Sequence, residues 1–114
     1  IISNTLSVDV SGSGELDGNI KTNVFTGKID GSGDIELNGS TETSNLNIIG
    51  SGEMSMFNLI SQNTEINVSG SGNADLQAIQ TLNATISGSG RIRYKGNPVV
   101  NSSISGSGNL IHIN

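Results

Sequence analysis

The chain has 114 residues, a formal net charge of −5, a sequence pI near 4.5, no cysteine, and one tyrosine and two phenylalanines as its only aromatic side chains. That length fits one domain, 1–114, and the missing cysteines exclude a disulfide framework and a thiolate metal site. The acidic balance argues against nucleic acid as a partner, and no apolar run reaches the ~18–20 residues that span a bilayer.

From the N-terminus, the first element is an alternating stretch that ends Asp9-Val10-Ser11. Gly12-Ser13-Gly14 follows, and a second alternating stretch starts at Glu15-Leu16-Asp17. The same unit returns at Gly31-Ser32-Gly33, Gly50-Ser51-Gly52, Gly70-Ser71-Gly72, Gly88-Ser89-Gly90 and Gly106-Ser107-Gly108. The step from one first glycine to the next is nearly constant, and a fixed period of this size, roughly 19 residues, marks a repeat architecture.

Two residues before each first glycine stand Val10, Ile29, Ile48, Val68, Ile86 and Ile104, all apolar and β-branched. Such side chains suit a pleated, buried surface. Two residues after each second glycine stand Leu16, Ile35, Met54, Ala74, Ile92 and Leu110, again all apolar. The residue before each member of the first set is polar, as is the residue after every member of the second set but Leu110, which Ile111 follows. Each repeat therefore reads as an in/out strand, a tight corner and a second in/out strand. Glycine serves the corner because it adopts backbone angles closed to other residues and lets stacked corners approach.

A hairpin meander also uses glycine-containing loops, but alternate turns of a meander lie at opposite ends, whereas a coil puts the same corner in every rung. The fold expected is all-β: a single-stranded, right-handed parallel β-helix, or solenoid, of about six rungs, each of roughly 18–20 residues. The hand follows from the crossover preference of parallel strands. The narrow interior of a coil also accommodates a core of small and medium aliphatics with few aromatics.

A third side is less regular. Ile20 with Val24 and Phe25, Leu59 with Ile60, Ile79 with Leu82, and Val99 with Val100 supply its apolar residues. The second rung offers only Ser40, Thr41, Thr43 and Ser44 there, which predicts loose packing at that level. Asn23, Asn45, Asn63, Asn83 and Asn101 recur in the same part of the repeat, as turn residues or as a stacked ladder.

Charge is uneven along the coil. Glu15, Asp34 and Glu53 follow the corner on three successive rungs, and Asp17 and Glu36 come two residues later. Stacked carboxylates repel, so they are either screened by salt or bridged by a hard cation. On the second reading Glu15, Asp34 and Glu53 form a Ca²⁺ site and the chain is a Ca²⁺-stabilised solenoid. Gly31-Ser32-Gly33-Asp34 has some likeness to a Ca²⁺-binding β-roll repeat, but Asn73, Arg91 and Asn109 replace the acid on later rungs.

Arg91, Arg93 and Lys95 alternate on one strand of the fifth rung, so all three face outward as a candidate interaction strip. The one histidine, His112, is read as a surface residue; with Ile111 and Ile113 as the expected inward pair, the last strand would need a register change. No catalytic or cofactor-binding residue is assigned. The Gly-Ser-Gly units precede strands rather than helices, so phosphate-loop and dinucleotide patterns fail. Acidic pairs on a β-helix can cleave polysaccharide, but no long loops are present to build a groove, so the chain is read as a non-enzyme.

The units at Val10–Glu15, Ile29–Ile35, Val68–Asn73, Ile86–Ile92 and Ile104–Leu110 resemble the head, or GIN-type, domain of the auto-transporter adhesins of Bacteroidetes. The resemblance covers nearly the whole chain. It implies a right-handed parallel β-helix in an exported protein of the cell surface, periplasm or extracellular space, with a structural or adhesive role. It brings no catalytic residues. A glycan or protein ligand is expected, and the open ends of the coil, which present unpaired strand edges, are expected to be covered by another copy, as a homo-oligomer, or by a further segment of chain.

Overall fold

The computed structural model describes residues 2–113. Eight strands account for most of it: β1 (Ile2–Gly12), β2 (Glu15–Gly31), β3 (Asp34–Gly50), β4 (Glu53–Gly70), β5 (Asn73–Gly88), β6 (Arg91–Lys95), β7 (Val99–Ser105) and β8 (Asn109–His112). All the pairings are parallel, in the order β1-β2-β3-β4-β5-β6-β8, with β7 also on β5. Strand β5 pairs with both β6 and β7 because the next rung is interrupted at Gly96-Asn97-Pro98. Gly96 has φ +100° there, and proline has no N–H to give the ladder.

A straight strand as long as β2, 17 residues, would run about 56 Å. The longest dimension of the molecule is 37 Å, so each long strand bends around the axis. The in/out alternation marks where. It slips at Phe57-Asn58, between buried Met56 and Leu59, and at Gln62-Asn63, between buried Ser61 and Thr64. With the Gly-Ser-Gly corner, these slips divide a rung into three sides. The protein is a β-solenoid of about six turns.

The columns expected from the sequence pair in register. Val10, Ile29, Ile48, Val68 and Ile86 lie one above another, as do Leu16, Ile35, Met54 and Ala74. The inner members of both columns are buried. Val10, Leu16 and Leu110 are only half-buried and Ile104 is 42% exposed, because the terminal rungs lack a neighbour on one side.

The two glycines of a corner do different work. Gly50 has φ +106°, and a side chain there would also meet the carbonyl of Gly31. Gly52 has no such angle. A Cβ there would collide with the Ile29 side chain and lie 2.8 Å from the Gly33 carbonyl oxygen. The corners themselves are bonded into the ladder: Ser51 N donates to Gly31 O at 3.1 Å, and Glu53 N to Gly33 O at 3.1 Å.

The second rung is not loose on its third side. Thr41 and Ser44 point inward and are buried, continuing a seam of hydroxyls with Thr22, Ser61 and Thr64. Thr22 Oγ1 donates to Val24 O at 3.2 Å, Thr41 Oγ1 lies 3.1 Å from Thr43 O, and Ser44 and Ser61 bond to each other at 2.7 Å. Thr22 and Thr41 thus satisfy backbone carbonyls at a bend that has no glycine, while Ser44 and Ser61 satisfy each other. Phe25 occupies the column of Ser44 on the rung before, and Gly27 leaves room for its ring.

Two further expectations change. The asparagines do not form one ladder. Asn45, Asn83 and Asn101 share a column interrupted by Glu65, whereas Asn63 aligns with Thr43 and Thr81. Only the top step is bonded as a ladder, with Asn101 Nδ2 donating to Asn83 Oδ1 at 3.1 Å. The last strand keeps its register: Arg93 pairs with Ile111 and Tyr94 with His112. The His112 ring stacks on Tyr94 at 4.8 Å, and its Nε2 lies 2.7 Å from Gly96 O, which holds the strand in place and leaves Ile111 facing out, 37% exposed.

Candidate functional site

The side that follows the Gly-Ser-Gly corner carries most of the charge singled out in the sequence. Strict register puts Glu15, Asp34 and Glu53 in one outward column that continues through Asn73 and Arg91. The neighbouring outward column runs Asp17, Glu36, Ser55, Asp75 and Arg93. Adjacent members are about 4.8 Å apart along the axis. One face is therefore acidic over the first three rungs and basic on the fifth.

A shallow cleft of about 250 Å³ runs between the acidic columns, and one of about 180 Å³ lies at the boundary among Glu53, Asn73, Asp75, Arg91 and Arg93. The three acids Glu15, Asp34 and Glu53 are brought together as a straight, exposed row rather than a cage. Among the described residues, no group of three or more His, Cys, Asp or Glu side chains is placed to hold a metal ion. A hard cation such as Ca²⁺ takes 6–8 oxygen ligands around one point, which a row on a flat sheet does not supply.

The basic strip is not three equivalent charges. Arg93 makes a two-pronged pair with Asp75, Nε to Oδ1 and Nη2 to Oδ2, both at 2.8 Å. The hydrogen bond to Asp75, and then its charge, raise the pKa of a guanidinium that is already cationic at neutral pH. Arg93 also lies 5.6 Å, and Lys95 Nζ 4.6 Å, from the centre of the Phe57 ring, within cation–π range. Arg91 is the exposed member of the strip. Phe57 is not singled out by the sequence analysis, although the alternation Met54, Ser55, Met56 already assigns it outward.

A second surface feature has no counterpart in the sequence analysis. On the side between the Phe57-Asn58 and Gln62-Asn63 bends, a groove of about 500 Å³ crosses β3, β4 and β5. Ser40, Thr43, Gln62, Asn63 and Gln80 give it amides and hydroxyls, Glu42 gives one carboxylate, and Ile60, 41% exposed, gives an apolar patch. The signal for it is the change of repeat length at Gly70, where a strand of 18 residues, β4, gives way to one of 16 residues, β5.

A parallel solenoid with flat, polar, outward faces defines a class of repeat proteins that work through their surfaces. Residues 1–98 match the family described as "Putative auto-transporter adhesin, head GIN domain", and the chain belongs to that family. Among solved structures it is similar to a "putative adhesin" from Parabacteroides merdae ATCC 43184, at 31% identity and TM-score 0.98, over 100% of this chain and 48% of that one. It is also similar to a "putative adhesin" from Bacteroides fragilis NCTC 9343, at 26% identity and TM-score 0.85, over 96% of this chain and 54% of that one. A third is a "Putative lipid binding protein" from Parabacteroides distasonis ATCC 8503, at 28% identity and TM-score 0.84, over 99% of this chain and 57% of that one. The chain thus spans about half the length of these relatives. No curated protein matches it. Among the described residues, no helix is long and apolar enough to cross a membrane.

Proposed function

We propose that this chain is a non-enzymatic, adhesin-like binding module of an exported, surface-associated protein. Its family supplies the class, and the in-register ladder supplies the means. Parallel pairing over whole rungs fixes outward side chains at a repeat of about 4.8 Å, so a rigid face is displayed without ordering cost when it meets another surface.

The geometry favours binding over catalysis. The clefts beside the carboxylates, at about 250 and 180 Å³, fall below the ~300–1,000 Å³ typical of sites that enclose a small molecule. On this reading the acidic columns are an outward, salt-screened charged patch rather than a calcium site.

The test is retention under flow. Beads coated with the chain should stay on a glycoprotein-coated surface more strongly than beads coated with an unrelated acidic protein of equal charge. Equal retention of the two would refute the adhesive role. Release of reducing sugar from the coated glycan would refute the non-enzymatic one.

A further inference from the structure

The groove across β3, β4 and β5 lies beside an irregularity of the repeat. Strand β4, on the rung that ends at Gly70, has 18 residues, and β5, on the rung that ends at Gly88, has 16 residues. The β4–β5 pairing absorbs the difference in two register breaks, one between Ser55 and Ile60 and one between Ser61 and Asn63. At the second break two residues on β5, Ile79 and Gln80, face the single Gln62 on β4. Bulges of this kind turn side chains out of the regular column. Ile79 is 41% exposed and Gln80 is exposed, whereas Gln62 and Asn63 are half-buried. The amides therefore gather at an irregularity, unlike the charges, which follow the columns.

The lining fits one kind of ligand. It contains no Lys or Arg, and Glu42 is among its lining residues, so an anion is repelled. A single carboxylate is too little for a hard cation. Ile60 in the lining and Ile79 at the adjoining bulge are the exposed aliphatics, two side chains set among amides and hydroxyls rather than the continuous apolar surface a lipid chain needs. Each amide offers both donors and acceptors, which suits a molecule that carries adjacent hydroxyls. Asn63 is already oriented: its Oδ1 accepts from Thr81 Oγ1 at 2.7 Å, which leaves its NH₂ group to donate. The volume, about 500 Å³, lies within the range of small-molecule sites.

We infer that this groove binds a neutral oligosaccharide, with Gln62, Asn63 and Gln80 hydrogen-bonding its hydroxyls, Glu42 accepting from a vicinal pair, and Ile60 lying under the C–H face of a ring. The inference rests on the adhesive reading above for its biological sense, but the site stands or falls by its own test.

The ¹⁵N-labelled chain is titrated with a panel of neutral oligosaccharides built from hexose, deoxyhexose and N-acetylhexosamine, and with their sialylated or sulfated counterparts. At least one neutral probe should shift the side-chain amide signals of Gln62, Asn63 and Gln80 and the backbone signals of Ser40–Thr43. The double variant Gln62→Ala/Gln80→Ala, which changes no buried side chain and whose spectrum reports its folding, should bind that probe at least tenfold more weakly. The inference is overturned if no neutral probe moves these signals, if the shifts centre on Arg91 and Lys95, or if the double variant binds as well as the parent. The bead assay separates the two readings. Beads of the double variant that adhere as well as the parent remove the groove from adhesion and leave adhesion intact. Parent beads that do not adhere, with groove signals that still shift, remove adhesion and leave the groove.

Discussion

Replacing Gly52 by alanine should damage the fold far more than replacing Gly14, although both are the second glycine of a corner. At Gly52 the added Cβ collides with Ile29 and lies 2.8 Å from Gly33 O. Ile29 is fully buried and cannot swing away. Gly33 O is the acceptor of the Glu53 N–H at 3.1 Å, so moving the rungs apart also weakens the corner ladder. Overpacking of this kind costs about 1–3 kcal/mol, and a compromised backbone hydrogen bond about 1 more. A loss of about 2–4 kcal/mol follows, or roughly 8–16 °C at about 4 °C per kcal/mol.

At Gly14 the nearest atom to an added Cβ is Val10 Cγ1 at 3.4 Å, an ordinary contact with a half-buried side chain. Neither position needs the left-handed backbone, so the difference is purely steric. Gly14→Ala should change stability by less than about 0.5 kcal/mol, or raise it by about 0.4–1 kcal/mol through the unfolded chain. Circular-dichroism melts and urea titrations of both variants measure this. Equal losses, or a Gly52→Ala protein as stable as the parent, would refute the stacked-corner account.

Further expectations concern the core and the charged face. Ile86→Asp buries a carboxylate in a fully enclosed column and should abolish cooperative melting, whereas Thr85→Asp, on the exposed side of the same strand, should shift the midpoint by no more than about 0.5 kcal/mol; equal effects would defeat the in/out assignment. Thr64 Oγ1 is buried without a hydrogen-bond partner, so Thr64→Val, close in shape, should stabilise the protein by about 1 kcal/mol or more in the same urea titration; a loss would show that the hydroxyl is satisfied. Asp34 stands between Glu15 and Glu53, so Asp34→Asn should raise the melting temperature at low salt by the equivalent of a few tenths of a kcal/mol, with the gain erased near 1 M NaCl. Millimolar Ca²⁺ should move the parent's melting curve no more than NaCl of equal ionic strength; a larger rise, lost in Asp34→Asn, would make the acidic row a cation site.

What is legible in the sequence is what every rung has to share. A column such as Val10, Ile29, Ile48, Val68, Ile86 recurs because each rung meets the same geometry from its neighbour, and the near-constant period exposes it. The Gly-Ser-Gly corners and the outward rows of Glu15 and Asp17 are readable for the same reason. The hydroxyl seam is not. Ser44 and Thr64 share a column with Phe25 and Leu82, so no residue type repeats there, and polarity points outward for side chains that in fact face in. Alternation likewise favours the isoleucine neighbours of His112, while stacking on Tyr94 fixes the strand. The pairing of Arg93 with Asp75 joins two different rungs, so it becomes visible only once the rungs are aligned.

The same reasoning places recognition away from the columns. A position that must stack on its copies above and below is restricted in size, shape and charge, and a change there is felt by two rungs. A bulged position is released from that match on the side of the break. Gln62 and Gln80 sit where β4 and β5 fall out of step, so neither is matched residue for residue across that pairing, and both are available to a ligand. The fixed distance between them comes from the regular stretch that follows, Thr64–Val68 paired with Leu82–Ile86. A local break in register thus gives an otherwise regular solenoid a distinct address, at little cost to the stacked columns that hold it together.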